Sequence, residues 1–193
     1  MYRSKHIFSA MALLVWILVT VGETKKEIIF NSINCSMRNK VFSKVECQLH
    51  SRLALNILAI VSDQKAVDKL TAVCDAKIFP ENQQKMIRVR NLKLDFCSLK
   101  KNTEKVSLIG IYYNVIRKSI VSFPDKCPFK KNSILAVRQL KIGSEDVPQY
   151  LPLSNYSFIG KIYAGNELAF VVKLTGGLYE IKNNSIYAKP IQY

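Results

Sequence analysis

Apolar and polar residues alternate with a period of two along much of this chain, which predicts strands with one buried face. From Val41 to Leu49 the odd positions Val41, Val45, Cys47 and Leu49 form the inward set. Phe42, Lys44, Glu46 and Gln48 fall on the other face. Leu53 to Val61 interrupts its apolar run only at Asn56, as a strand covered on both sides does. Leu70, Ala72, Cys74, Ala76 and Ile78 alternate in turn and put the Cys74 thiol on an apolar face. Between Met86 and Phe96 the apolar parity changes near Asn91, which predicts a bulge. Leu168, Phe170, Val172 and Leu174 mark a further strand, and Gly176-Gly177 predicts a hairpin turn into LYEIK.

One stretch breaks the strand pattern. Val106, Ile109, Tyr113, Ile116 and Ile120 recur at spacings of three and four, with Asn102 or Thr103 placed to cap the start, so a helix is predicted between Cys97 and Cys127. The expected fold is mostly β: an antiparallel, immunoglobulin-like β-sandwich or β-cup with one helix across it, stapled by disulfides.

The N-terminus sets the compartment. Arg3 and Lys5 precede an almost wholly apolar run from Ile7 to Val21, and Thr20-Val21-Gly22 offers small residues for cleavage, so residues 1–22 read as a signal peptide. The rival is a retained anchor, but a spanning helix wants about 20 apolar residues and this run is shorter. Residues 23–193 then form a single domain in an extracellular, secreted protein. In that compartment the cysteines pair. Five are present, Cys35, Cys47, Cys74, Cys97 and Cys127, and Cys74 is the candidate for the odd thiol. The other four allow three connectivities, of which a Cys97–Cys127 bridge is preferred; it closes a loop worth roughly 3 to 4 kcal/mol. Export also makes the N-x-Ser sequons at Asn34, Asn155 and Asn183 usable for glycosylation, with Asn34 in competition with its neighbour Cys35.

Catalytic chemistry finds little to stand on. After Gly22 the sole histidine is His50, no CxxC or phosphate-binding glycine loop occurs, and Asp95 beside Cys97 reads as a turn-capping residue. No catalytic residue, metal ligand or cofactor is therefore assigned. Charge does add something: without residues 1–22 the chain keeps 27 basic residues against 14 acidic, a net +13. These cations are scattered rather than striped, which disfavours nucleic acid and leaves anionic lipid headgroups, acidic glycans or plain solubility as the reading.

The segments NSINCS, VECQL, LALNI, LDFCSL, DKCPF, VPQYLP and NYSF occur in this order between Asn31 and Phe158. In that order they resemble the insect secreted family that includes the CheB-type chemosensory proteins, most specifically at Asp95-Phe96-Cys97, Cys127-Pro128 and Pro148 to Pro152. That family is similar to the ganglioside-activator and Niemann-Pick type C lipid-recognition proteins, sandwiches opened into a lipid-holding cup. The chain departs from the pattern where a glycine is expected shortly after Cys127-Pro128 and at Asn155, and Cys74 lies outside it. The resemblance implies a non-enzymatic binder or carrier of a lipid or pheromone-like ligand. The expected cavity residues are Leu53, Leu55, Ile57, Leu168, Phe170 and Val172. The alternatives are a protein-binding module with a solid core, engaging a receptor, and a lipid presenter at a membrane surface.

Overall fold

A computed structural model describes residues 25–82, 85–98, 108–124, 126–147, 150–182 and 185–186. Residues 1–22, the expected signal peptide, and the proposed caps Asn102 and Thr103, with Pro148 and Asn183, lie outside the described residues. Among the described residues ten strands and one α-helix follow in the order β1 (Lys25–Met37), β2 (Phe42–Ser51), β3 (Ala54–Val61), β4 (Leu70–Pro80), β5 (Ile87–Asp95), α1 (Leu108–Ser119), β6 (Ile120–Ser122), β7 (Ile134–Leu140), β8 (Ser154–Ala164), β9 (Glu167–Lys182) and β10 (Ser185–Ile186). They make two antiparallel sheets that do not close into a barrel. The larger runs β1-β9-β8-β4-β5 with β10 appended to β9, and the smaller runs β2-β3-β7-β6.

Inward parity follows the alternation in the sequence. Ala72 and Cys74 of β4, Phe170 and Val172 of β9, and Ala59 and Val61 of β3 all join one buried cluster between the sheets. Phe42 crosses the gap to stack edge-on against Phe170 at 5.3 Å, an arrangement favoured by the ring quadrupoles. Cys35 of β1 is bridged to Cys47 of β2 and ties the two sheets along one edge. The second bridge, Cys97–Cys127, closes the excursion that contains α1, and Cys74 is free and buried. On α1, Tyr113 and Ile116 turn into the core as the spacing predicts. The Tyr113 hydroxyl accepts the Asp95 N–H at 2.9 Å and donates to the Asp95 carbonyl at 3.2 Å, which fastens the helix to the end of β5.

Four sequence expectations fail, each for a local reason. Gly176-Gly177 is not a turn: β9 runs through both, with Gly176 paired to Phe30 and Tyr156 and Gly177 to Ile29 and Asn155. The turn is Gly165-Asn166, where Gly165 takes φ +61° as the first residue of a two-residue hairpin. Leu168 does not face inward, because a register shift leaves Ala169 unpaired; Ala169 enters the core and Leu168 pairs with Tyr163 instead. Leu53 precedes β3, in the turn after β2. A further bulge, at Ser43, lets Phe42 join the buried side that its parity had denied it.

The bulge near Asn91 is present. Asn91 takes φ 56° and its N–H is accepted by the Asp75 carboxylate at 3.0 Å. The turn for which the family pattern wants a glycine after Cys127-Pro128 is made by Asn132 at φ 59°, a conformation that asparagine tolerates better than most residues. No helix among the described residues is long and apolar enough to cross a membrane.

Candidate functional site

The inner faces of the two sheets do not meet everywhere. They leave a cavity of ≈ 140 Å³ between them. The larger sheet contributes Ile33, Leu70, Cys74, Phe158, Gly160, Ile162, Phe170, Val172 and Leu174; the smaller contributes Leu55, Ile57, Ala59, Leu135, Val137 and Leu140. Ile116 of α1 and the aromatic rings of Phe96 and Phe123 complete the wall. Gly160 and Ala59 matter by being small, since larger side chains there would occupy the space.

The rings are held as a group. Phe123 packs edge-on against Phe129 at 5.4 Å and lies 6.0 Å from Phe96. Phe129 is fully buried and exchanges backbone hydrogen bonds with Val67 in both directions. Phe96 adjoins Cys97, so the Cys97–Cys127 bridge sits directly behind this aromatic wall.

Every lining side chain is aliphatic or aromatic except the Cys74 thiol. Burial, with the neighbouring Asp75 charge adding to it, pushes that thiol up to about 12, so it stays protonated and is a poor nucleophile. The site can therefore hold an apolar group by desolvation and shape. It offers no side-chain hydrogen bond by which to orient a polar one. Among the described residues no cluster of histidine, cysteine and carboxylate groups could hold a metal ion, and His50 is exposed at the end of β2.

Of the six residues expected at the cavity, Leu55, Ile57, Phe170 and Val172 line it, whereas Leu53 and Leu168 do not. Sequence reasoning missed the aromatic wall. Phe96 continues the Leu92-Leu94 alternation just past the end of β5 and so carried a periodic signal, whereas Phe123 lies in a segment without periodicity whose only signal was its nearness to Cys127. The Cys74 thiol was placed correctly on an inner face by alternation.

Of the sequons, Asn34 is exposed on the outward side of β1 beside Lys173. Asn155 is 7% exposed, and its side-chain oxygen accepts the Tyr179 hydroxyl. A glycan on Asn155 would have to displace Tyr179 and the strand pairing around it. Glycopeptide mapping of protein exported from a eukaryotic host is expected to find Asn155 unmodified; substantial occupancy there in folded protein would contradict this packing.

Residues 73–158 match a family model described as "Protein of unknown function (DUF1091)". The matched stretch runs from β4 through the helix and both cysteines of the second bridge to Phe158 in β8, so it spans the aromatic wall and part of each sheet. No curated protein matches the chain.

Proposed function

We propose that this chain is a secreted, non-enzymatic carrier that holds the hydrocarbon part of a small lipid or pheromone-like molecule between its two sheets. The observation that carries the reading is the partly open, side-chain-apolar cavity between the two sheets. Two disulfides fit an oxidising, extracellular setting. The resemblance to the CheB-type family supplies chemosensation as the biological context.

Size limits the ligand. A volume of ≈ 140 Å³ lies below the roughly 300 to 1,000 Å³ usual for drug-sized ligands and near the roughly 150 Å³ of an engineered apolar cavity that takes up benzene. A segment of about four to six carbons fills it, worth about 3 to 5 kcal/mol at ~0.8 kcal/mol per methylene before ordering costs. A longer chain must part the walls. The same small volume favours one competing reading, a protein-binding module with a nearly solid core.

Two measurements separate them. Solvent extraction of the secreted protein followed by mass spectrometry is expected to release a co-purifying lipid, and the stripped protein should bind a fluorescent fatty-acid probe saturably. Ala59→Leu is then expected to place three more carbons in the cavity and lower probe affinity about 50-fold, the equivalent of about 2.4 kcal/mol. Its unfolding midpoint should hold or rise because a void is filled. Absence of both lipid and probe binding would leave the protein-binding module. Probe binding indifferent to Ala59→Leu would place the ligand elsewhere.

A further inference from the structure

The strand register sorts the scattered cations onto one surface. In the larger sheet the residues facing away from the cavity include Lys77 of β4, Arg88 and Lys93 of β5, Lys161 of β8 and Lys173 of β9, all exposed. Lys69, just before β4, extends the same row. By register three acids share this face: Glu27 at one end of β1, and Asp75 and Asp95, which are both engaged by their own chain. The Asp75 carboxylate accepts the Asn91 N–H, and that of Asp95 accepts the Cys97 N–H at 2.9 Å and the Ser98 hydroxyl at 3.0 Å. None of the six cations is held in an ion pair among the described residues. The outer face of the smaller sheet differs: its Lys44 is paired with Glu46 at 2.9 Å, and Arg138 of β7 is the other strand cation on it.

Lys77 and Arg88 are direct cross-strand partners. Like charges placed opposite one another weaken a sheet, so fold stability does not account for them. Lys161 and Lys173 are diagonal neighbours across β8 and β9. Between the cations lie the half-buried Val73, Ile159 and Tyr163. Lys69, Lys93 and Tyr163 border an open depression of ≈ 460 Å³. Five paired strands make the face about 19 Å wide at ~4.8 Å per strand spacing.

We infer that this outer face of the larger sheet docks on an anionic phospholipid surface. The lysine and arginine heads meet lipid phosphates and carboxylates, and the interleaved apolar groups enter the headgroup layer. Charge complementarity over a broad face suits a bilayer, and the inference does not depend on the cavity holding a ligand.

The test is co-flotation of the full secreted protein with vesicles of phosphatidylcholine alone or mixed with phosphatidylserine, across a range of salt. An endoglycosidase first trims any glycan at Asn34 beside Lys173. Binding is expected only to the mixed vesicles and should weaken with salt. Each cation at such a surface contributes about five-fold in affinity, so Lys161→Gln with Lys173→Gln should lower it about 30-fold while leaving the fatty-acid probe titration unchanged. Lys130→Gln with Lys131→Gln, which removes the same charge from the exposed turn before β7, should change it less than two-fold. Arg88→Glu should raise the thermal midpoint by creating an opposite-charge pair with Lys77, and still weaken vesicle binding. Equal losses in the two double variants, equal binding to neutral vesicles, or binding to immobilised heparin without vesicle binding would each overturn the proposal.

Discussion

Gly176→Ala is expected to destabilise the protein by about 3 kcal/mol, the upper end of ordinary overpacking. A Cβ built on Gly176 overlaps the Ile29 carbonyl oxygen and comes within 2.5 Å of the Tyr156 hydroxyl. The carbonyl belongs to β1, which is paired along β9 on that side, while β8 holds β9 on the other. Neither neighbour can withdraw without breaking ladder hydrogen bonds. Gly165→Ala is the control. Nothing lies within 4 Å of its added Cβ, and its only difficulty is φ +61°, so about 1 to 2 kcal/mol is expected. Thermal unfolding resolves the two, since a 3 kcal/mol loss shifts the midpoint by about 6 to 12 °C in a protein of this size. A Gly176→Ala loss under about 1 kcal/mol would mean that β9 turns at this position after all.

These two glycines also show what sequence reading could and could not recover. A Gly-Gly dipeptide after an alternating strand has the chemistry of a hairpin turn, and nothing nearby in the sequence reveals that the Ile29 carbonyl and Tyr156 will lie against it. Glycine inside a strand marks close approach of another group as readily as a turn, and the choice is made by residues in other segments. Bulges act in a similar way. Alternation placed Cys74, Phe170 and Val172 correctly, but one unpaired residue at Ala169 moved Leu168 off the cavity side, because a single-residue slip reverses every side chain beyond it.

The candidate site was legible to the same extent. Strand residues Leu55, Ile57, Phe170 and Val172 carry a periodic signal and do line the cavity. Whether two apolar faces leave a gap depends on small lining residues such as Gly160 and Ala59, and on rings delivered from beyond the long strands. The basic face was hidden for a related reason. Lys77, Lys93, Lys161 and Lys173 are scattered along the chain and become neighbours only through the register of β5, β4, β8 and β9.

Removing the Cys97–Cys127 bridge by paired alanine substitution is expected to cost about 3 to 4 kcal/mol, from the chain entropy restored to the unfolded state by opening a loop of 30 residues. Urea unfolding would register it as a lower midpoint; a steeper m-value would report that the unfolded chain has also become less compact. The bridge has a second consequence that Cys35–Cys47 is not positioned to share. Phe96 adjoins Cys97, Phe123 lies four residues before Cys127, and both rings face the cavity with Phe129 packed behind them. Without the crosslink the two wall segments keep their ring contacts and local hydrogen bonds but lose their covalent tie to each other, so fatty-acid probe affinity should fall about ten-fold even where the variant is still folded. Alanine substitution of Cys35 and Cys47, whose 12-residue separation gives about 3 kcal/mol, should lower stability with a smaller effect on the probe. Equal probe losses in the two variants would show that the cavity reports general loosening of the sandwich and not its aromatic wall.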